Sequence, residues 1–468
     1  MSNRHLIIIL ALLAPLCLLG QTPPTPLSLE EALGMAREQN LSLVIAREGI
    51  ATAKAESHEL NSLWFPSLSI SGEYTHSLTE IAAVTTVGEI GSELLGNLAP
   101  IASAIPAIEA ILEDIGKSQL RLPIVPRNTA EVGAELMWVV FSGGRRVAAT
   151  HIADQVQALA HEQYCATENG VLAAVAEAYW GLALSEQLTE VRRSAHWLNG
   201  EHLRQARRLE EEGMITQAER LVAEVAYKQS ATLLHAAESD QSVTSKALAT
   251  LLGVDSIAIS PTTPLAIPPT IPSREYFAEL LSTSPTMMAL RSGEEITALT
   301  LSAERSRYLP TIALVGHQQL WSSGLDKNIF PRTIVGVGLS WTLFDGLSRE
   351  GAIARSQSAL RTAQTSREKS LRELQTAIDK YYAILTNALS EYRAQQTTLA
   401  LAQELHRVQL RAFAEGMATS SDVVDAAQRL SEVRLSHLAL LYTVDTSLAT
   451  LLMLVGKADS LTTYFTPQ

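Results

Sequence analysis

The sequence predicts a mainly α-helical protein whose strands belong to a membrane β-barrel and whose helices form long coiled coils. The stretch from Ile334 to Phe344 alternates apolar residues with glycine, serine and threonine, the period of two expected of a strand with one apolar face. About seventy residues without proline follow, from Gly346 to Glu415. As a single helix this stretch would be roughly 100 Å long, more than a compact domain accommodates.

The long helical stretch also carries a coiled-coil seam. Its apolar residues recur at spacings of three, four or seven, as in heptad repeats. The seam consists of Leu371, Leu374, Ile378, Tyr381, Leu385, Ala388, Tyr392 and Leu399.

Composition agrees with a fold built on long helices. Of the 468 residues, 18% are charged and only 5% are aromatic, which suits a narrow helical seam better than one thick globular core. The formal net charge is −13. This charge argues against nucleic acid as a partner, because binding to phosphates requires clustered lysine and arginine.

Residues 1–20 have the outline of a secretory signal peptide, with Arg4 followed by an apolar run from Leu6 to Leu19. Cys17 lacks the small preceding residue of a lipoprotein signal, so we expect no lipidation. After cleavage Cys165 is the only cysteine, which excludes an internal disulfide. No later apolar run has the length of a membrane-spanning helix, so we expect any membrane crossing to use β-strands.

The chain contains an internal duplication. A shift of 203 residues aligns Trp138 with Trp341 and Phe141 with Phe344, and a shift of 244 aligns Pro66 with Pro310. The two shifts differ by 41 residues, so the first copy carries about that much extra sequence between its strands.

Each copy is predicted to contain a helix, two strands, a very long helix, a tip and a returning helix. The first repeat, residues 21–259, comprises a helix from Ser28 to about Asn61, strands Phe65–Tyr74 and Glu131–Phe141, and helices Arg145–Glu212 and Gln217–Leu252. The second repeat, residues 273–457, comprises a helix at about Arg274–Arg307, strands Leu309–Gln318 and Ile334–Phe344, and helices Gly346–Glu415 and Ser420–Val455. A proline-rich linker, 260–272, joins them, and residues 458–468 form a C-terminal tail.

The extra sequence of the first copy lies at about 77–127 and is apolar and acidic, with no lysine or arginine before Lys117. An enlarged surface loop is the simplest interpretation. The alternative is a lid or a receptor surface at the mouth of a barrel.

Four strands from one chain cannot close a barrel in lipid, because open sheet edges leave backbone groups unpaired there. Three chains would supply twelve strands, within the range of known barrels. A membrane barrel also requires an aromatic girdle, for which the candidates are Trp64, Trp138, Trp321 and Trp341. The alternative is a soluble pair of β-hairpins with buried tryptophans.

We find no catalytic, cofactor-binding or metal-binding constellation, and we therefore expect no enzymatic activity. His58-Glu59 and His161-Glu162 lack the second histidine of a zinc-binding HExxH motif. Three consecutive acids, Glu210, Glu211 and Glu212, precede the first tip. Repeated around a tunnel end they would form an acidic ring that attracts cations; the alternative is a solvated helix end.

Several motifs together resemble the TolC-like outer membrane efflux proteins. They are Leu27-Ser28-Leu29-Glu30-Glu31-Ala32-Leu33, Phe65-Pro66-Ser67-Leu68, Phe141-Ser142-Gly143-Gly144 with its echo Phe344-Asp345-Gly346, and the tips Glu212-Gly213-Met214-Ile215-Thr216 and Glu415-Gly416-Met417-Ala418-Thr419. The resemblance covers nearly all of the predicted mature chain. The long first insertion is a departure, and Glu219 stands in the first copy where the second has Asp422.

The resemblance implies a homotrimer that forms a twelve-stranded barrel in the outer membrane lipid, continued by an α-helical tunnel through the periplasm. It implies that the trimer docks a periplasmic adaptor protein and an inner-membrane pump, and exports drugs, metals or proteins. The residues that match the adaptor-docking tips are Gly213, Met214, Thr216, Gly416, Met417 and Thr419.

Two other functions are left open by the residues alone. A structural coiled-coil protein of the cell envelope would pair its strands outside any membrane. An adaptor-type protein would need a compact β-barrel or a lipoyl-like domain, which we do not find. The exported substrate is not readable, since the eight methionines form no row.

Overall fold

The structure is a computed structural model, and it describes residues 25–76, 78, 84–86, 119–121, 128–254, 259–323 and 331–465. The predicted signal peptide lies outside the described residues. So does most of the 77–127 insertion, and its interpretation as a loop or a lid is therefore still a prediction.

The described residues form nine α-helices and eight strands. The helices are α1 (Leu29–Gln39), α2 (Leu41–Asn61), α3 (Arg145–Glu211), α4 (Gln217–Leu252), α5 (Arg274–Leu280), α6 (Pro285–Arg305), α7 (Ser348–Ala414), α8 (Ser420–Leu454) and α9 (Leu461–Phe465). The strands are β1 (Thr25–Leu27), β2 (Ser67–His76), β3 (Val84–Thr86), β4 (Gln119–Arg121), β5 (Asn128–Phe141), β6 (Ile259–Pro261), β7 (Thr311–Ser323) and β8 (Thr333–Ser340).

The main sheet has four antiparallel strands in the order β2-β5-β7-β8. In the described part of the chain β2 and β8 each have a neighbour on one side only, so the sheet is open at both edges there. Two smaller sheets accompany it, the parallel pair β1-β6 and the antiparallel pair β3-β4.

The described residues belong to two compact units. The helical unit contains residues 25–45, 165–285 and 373–465, and the sheet unit contains residues 46–164 and 286–372, apart from the undescribed positions. The two very long helices, α3 and α7, each have 67 residues and contribute to both units.

The predicted first helix is in fact two helices. The capping box at Ser28 and Glu31 begins α1 as predicted, but the backbone of Asn40 is extended and ends it. The Asn40 side chain accepts a hydrogen bond from the Ser42 amide at 2.9 Å and donates one to the Leu251 carbonyl at 2.7 Å. This local bonding by an asparagine competes with the helix ladder, which explains the break.

The predicted helix at 274–307 is also interrupted. A 3₁₀ turn at Leu281–Thr283 separates α5 from α6, and Ser284 is extended. Ser284 precedes Pro285, and a residue before proline is disfavoured in the helical conformation.

The strand predicted at Ile334–Phe344 ends at Ser340. The guanidinium of Arg349 donates hydrogen bonds to the carbonyls of Thr342 and Leu343, each at 2.9 Å. Because these carbonyls accept hydrogen bonds from a side chain of α7, the strand ends earlier than the alternating pattern indicates.

The described part of the predicted C-terminal tail is folded. Residues Ala458–Ser460 form a 3₁₀ turn and α9 follows, with the Phe465 ring 4.6 Å from the Trp180 ring between centroids. Both Trp180 and the neighbouring Tyr179 are fully buried. This end of the chain therefore completes the core of the helical unit.

Helix α8 is the one described helix that is long and apolar enough, by length and composition, to cross a membrane. Core helices pass the same criterion. Val444, Leu448 and Leu451 are fully buried within the helical unit, so the apolar character of α8 is accounted for by packing against other helices.

One carboxyl group, that of Asp445 on α8, lies within this core. Asp445 is fully buried, and neither of its carboxylate oxygens has a hydrogen-bond partner of good geometry among the described residues. Burial raises the pKa of Asp445 to about 8, and the nearby backbone amide of Ala266 offsets only part of this rise.

We predict that Asp445 makes the protein less stable as pH rises. Its folded-state pKa lies above the ordinary value of 3.8. The contribution of this carboxyl group to the free energy of unfolding is therefore greatest below about pH 4 and falls until about pH 8. Asp445→Asn should therefore raise the thermal midpoint at pH 8 by more than about 2 °C, the effect of roughly 1 kcal/mol in a domain of this size, and by less at pH 5. Thermal unfolding followed by circular dichroism at both pH values measures this. Asp240→Asn, at an exposed aspartate of α4, is the control. An equal effect of Asp445→Asn at both pH values would contradict the assignment.

Candidate functional site

The register of the main sheet separates its side chains into an apolar and a polar face. Opposite one another on one face lie Ile70 and Ala134, Trp138 and Leu314, and Leu314 and Val337. Ile70 is 68% exposed and Val337 is 72% exposed. Exposed apolar residues of this extent and continuity mark a surface that contacts lipid or another protein.

The other face of the sheet carries most of its polar and small residues, together with Met137, Val139, Val315 and Ile334. It carries the serines of β2, the glutamates of β2 and β5, and Gly336, Gly338 and Ser340 of β8. The alternation predicted for β8, with valine and leucine on one face and glycine and serine on the other, is therefore present in the register.

The four tryptophans of the predicted girdle lie at two levels of the sheet unit. Trp64, Trp138 and Trp341 lie where the strands meet the helices, whereas Trp321 pairs with Val132 towards the opposite end of β5. Six residues separate Val132 from Trp138, which corresponds to about 20 Å along a strand. The apolar band of a membrane barrel has a similar height, so this spacing fits a girdle at each lipid interface.

A cluster of hydrogen bonds and one cation–π contact, here called the strand–helix junction, joins β5 to α3 in the first copy. The Trp138 indole donates to the Trp64 carbonyl at 2.9 Å, and the Trp64 indole donates to Thr150 Oγ1 at 2.8 Å. The guanidinium of Arg146 lies 4.2 Å above the Trp64 ring and donates to the Val139 carbonyl. Together these contacts fix β5 against the first turns of α3.

The second copy has the same strand–helix junction, formed by equivalent residues. The Trp341 indole donates to the Tyr308 carbonyl at 3.1 Å, and the guanidinium of Arg349 lies 4.7 Å from the Tyr308 ring centre. Arg349 bonds the Thr342 carbonyl as Arg146 bonds that of Val139. These positions are related by the two shifts of the duplication, so one junction is built twice.

The tip between α3 and α4 ends its helix with a left-handed glycine. Gly213 has φ of +72°, and its amide bonds the Glu210 carbonyl at 2.9 Å while the Met214 amide bonds that of Leu209 at 2.8 Å. This pair of bonds is a Schellman motif, which favours glycine. Thr216 then caps α4 through its hydroxyl.

The tip between α7 and α8 has the same geometry. Gly416 has φ of +73°, and its amide and that of Met417 bond the carbonyls of Phe413 and Ala412. Thr419 and Asp422 form a full capping box, and hydrogen bonds from Thr419 lower the pKa of the Asp422 carboxyl. At both tips the methionine is exposed, and the same backbone hydrogen bonds close the turn.

The two tips share one apolar core within the helical unit. Its buried members are Leu203, Ala206, Ala223, Phe413 and Val423, drawn from both hairpins. Ile215 and Ala418, one from each tip, pack against it.

A buried histidine links the two hairpins beside this core. His202 on α3 is 2% exposed, and its Nε2 lies 2.8 Å from the Ser420 hydroxyl at the start of α8. Burial is the main reason that the pKa of His202 falls to about 4; nearby His406 contributes to the fall and the contact with Ser420 opposes it. His202 is therefore neutral at physiological pH. The sequence pattern did not single out this contact.

The three acids before the first tip have different surroundings. Glu210 forms an ion pair with Arg220 of α4 at 2.8 Å, and Arg220 also bonds Glu224. Glu211 and Glu212 are exposed. The charge available for an acidic ring therefore resides mainly on Glu211 and Glu212.

Two helices of the helical unit expose apolar stripes. On α4 the exposed residues are Leu221, Val222, Val225 and Leu233, and on α7 they are Leu401, Leu405 and Val408. The spacings of four and eight between Leu221, Val225 and Leu233, and of four and three between Leu401, Leu405 and Val408, place each set along one helix face. Nothing among the described residues covers either stripe.

No group of three or more histidine, cysteine, aspartate or glutamate side chains is placed to hold a metal ion in the described part of the chain. The features that sequence reasoning missed are the junction arginines Arg146 and Arg349 and the contact of His202 with Ser420. Arg146 and Arg349 are separated by the shift of 203, which was the signal available for finding them.

A family model described as "Outer membrane efflux protein" matches residues 32–254 and 277–457. No individual curated protein matches the chain. Among solved structures, the chain resembles the channel-forming protein CusC with a TM-score of 0.73 at 14% identity, covering 91% of each chain.

Two further channels have the same fold as this chain. The outer membrane protein VceC of Vibrio cholerae is 16% identical, with a TM-score of 0.71 and coverage of 92% of this chain and 96% of that one. The MtrE outer membrane channel of Neisseria gonorrhoeae, solved in its open state, is 16% identical with a TM-score of 0.71 and coverage of 92% and 89%.

Proposed function

The chain belongs to the outer membrane efflux protein family, and on that premise we propose that it forms the homotrimeric outer membrane duct of a three-part export system. Membership places the chain among outer membrane channels for efflux. The trimer, the adaptor and the inner-membrane pump are our proposal.

The exposed apolar face of the main sheet is the observation that carries the proposal. An isolated sheet with such a face and two open edges is unstable in water and forbidden in lipid. Three copies joined edge to edge, β8 of one to β2 of the next, would pair every edge in a barrel of twelve strands. The polar face would then line the lumen, and the apolar face would contact lipid.

The exposed stripes on α4 and α7 support a ring of identical chains. Two different surfaces on one chain give a head-to-tail interface, and such an interface closes into a ring when the rotation between copies permits it. We propose that α4 of one protomer packs on α7 of the next, so that the helices form a tunnel.

The tips are proposed to dock the adaptor. Each presents an exposed methionine, Met214 or Met417, on a turn fixed by a Schellman motif and a threonine cap. Flexible thioether side chains on a preformed surface suit a protein partner. Opening would come from movement of the tip helices when the partner docks, with energy supplied by the pump.

The alternative of a structural coiled-coil protein is disfavoured by the same exposed face. A filament would require its strands to be covered by protein, whereas the apolar face and the two levels of tryptophan fit a lipid layer. The exported substrate, small molecule or protein, is not assigned. Exposed Glu211 and Glu212 would attract cations to the tunnel entrance.

Substitutions at two adjacent residues of β2 test which face of the sheet contacts lipid. Ile70→Arg places a charge on the proposed lipid face near mid-membrane, where it costs about 2–4 kcal/mol, and should strongly reduce the heat-sensitive oligomer recovered from outer membranes. The matched control is Ser69→Arg, one residue away on the proposed lumen face and opposite Glu135. It should leave assembly close to wild type. Equal loss in both variants, or in neither, would contradict the assignment of the faces.

The tips are tested separately from assembly. Combined Met214→Glu and Met417→Glu should leave the amount of oligomer unchanged, because both side chains are exposed. The same variant should lower export at least about tenfold, as expected when a contact worth roughly 1.4 kcal/mol is lost. The measurement is resistance to exported compounds in a strain that lacks the wild-type gene. Ser242→Glu, at an exposed residue of α4 that lies away from the tip and outside its apolar stripe, is the control. Unimpaired export by the tip variant would contradict docking through the methionines.

A further inference from the structure

The turns at the two strand–helix junctions differ in what covers them. In the first copy, the 3₁₀ turn that precedes β7, Ser306–Tyr308, lies directly on the turn that follows β5. A Cβ atom at Gly143 would be 2.7 Å from both the Ser306 carbonyl oxygen and Leu309 Cβ. A Cβ atom at Gly144 would be 3.7 Å from Ser306 Oγ. The start of the second hairpin therefore covers the end of the first.

The equivalent turn of the second copy, residues 344–347, has no such cover and is called the uncovered turn here. The shift of 203 places Gly346 and Leu347 at the positions of the two glycines. Among the described residues, no atom beyond the chain neighbours lies within 4 Å of a Cβ atom built on Gly346. Leu347 is 66% exposed. The uncovered turn follows β8, an edge strand of the described sheet.

Leu347 carries backbone strain that the single chain does not explain. Its φ is +67°, and among the described residues it is the one non-glycine residue with a left-handed backbone. This conformation brings the Cβ atom of an L-residue close to the following carbonyl oxygen, a contact that glycine at position 144 avoids. Such strain persists only where other contacts hold it, and it is concentrated at binding sites. A strained leucine with an exposed side chain therefore indicates a contact with something outside this chain.

The segment suited to cover this turn lies at the opposite edge of the same sheet. The shift of 244 relates Ser306 and Leu309 to Ser62 and Phe65. Ser62–Trp64 is again a 3₁₀ turn, and it precedes β2, the other edge strand. Phe65 is 72% exposed. Complementary surfaces at opposite edges of one sheet join one copy to the next.

We propose that residues 62–65 of one copy bind the uncovered turn of the next copy, with Leu347 as the contact residue, and that this contact sets the register between the two chains. The inference rests on the proposed trimeric barrel and specifies how its three interfaces form. The strain at Leu347 is then maintained by contact with the neighbouring chain.

The pairing of β5 with β7 is the template for the pairing of β8 with β2 of the next copy. The two shifts place Ser340 opposite Ser71 and Val337 opposite Tyr74. The template pairs are Met137 with Val315 and Ala134 with Gln318. Both new pairs join residues of the same face, which a slip by one residue would not do. A slip by two residues would keep the faces but move residues 62–65 by about 7 Å from the uncovered turn.

A pair of cysteines tests the contact in the assembled protein. Ser62→Cys with Leu347→Cys, in a Cys165→Ser background, should form disulfides between chains when outer membranes are treated with a mild oxidant. The reason is that the equivalent atoms of the first copy are 3.7 Å apart, within the span of a disulfide. A denaturing gel should show covalent dimers and trimers and nothing larger. The matched control, His76→Cys with Leu347→Cys, lies at the opposite end of β2 and should give single chains.

A second pair tests the register. Directly opposed Cβ atoms are about 5 Å apart and diagonal ones about 7–8 Å, beyond the span of a disulfide. Ser340→Cys with Ser71→Cys should therefore cross-link at least about tenfold faster than Ser340→Cys with Ser69→Cys. Equal rates, or faster cross-linking through position 69, would overturn the register.

The direction of one effect tests the role of Leu347. Leu347→Gly removes the strain, so a leucine without a partner predicts a complex that withstands more heat. We expect the complex to dissociate at a lower temperature, because the contact with the neighbouring chain is lost. Leu347→Asn, which also tolerates the left-handed backbone, should act in the same direction. The measurement is the temperature at which the oligomer converts to single chains, and unchanged or greater heat stability in both variants would overturn the contact.

Failure of this contact is distinguishable from failure of the proposed function. An oligomer that forms without cross-linking between positions 62 and 347 would overturn the contact and leave the duct. Recovery of the wild type only as single chains would overturn the trimeric barrel itself. If the pair at 62 and 347 prevents assembly, the pair at 71 and 340 decides.

Discussion

The rest of the structure depends on the unpaired backbone edges of one four-stranded sheet. Among the described residues, β2 and β8 are the two edge strands of the sheet, beside a face of exposed apolar side chains. In lipid each unpaired group would cost several kcal/mol, and the proposed oligomer would supply the missing neighbours. The exposed stripes of α4 and α7 are the helical surfaces that the same proposal would cover.

Duplication explains how one chain meets this requirement with few kinds of contact. Each copy turns from strand to helix through the same arrangement, in which an indole bonds a backbone carbonyl and an arginine lies over an aromatic ring. Each copy also ends its long helix with a left-handed glycine and a threonine cap. The tips differ where they meet: Glu210 and Arg220 form an ion pair in one hairpin, whereas the equivalent Phe413 and Val423 are buried in the shared core.

Much of this architecture was predictable from local patterns. The period of two placed the strands, the absence of proline placed the long helices, and the glycine and threonine at each tip placed the turns. The breaks at Asn40 and Leu281–Thr283, and the early end of β8, were not predictable in this way. They depend on a side chain that bonds the backbone of a distant segment, on proline geometry, and on Arg349 reaching back to carbonyls. The contact of His317 with Glu131 depends on strand register, which one sequence does not specify.

The central claim is that three copies share one barrel in the outer membrane, and the mass of the native complex tests it most directly. Protein extracted from outer membranes in mild detergent, without partner proteins, should give by native mass spectrometry a complex of three chains, where one chain of the full sequence has a mass of 50.6 kDa. On heating, this complex should dissociate to single chains. A monomer or an extended dimer recovered from the periplasmic fraction would contradict the account, because it would leave the edges of β2 and β8 without partners.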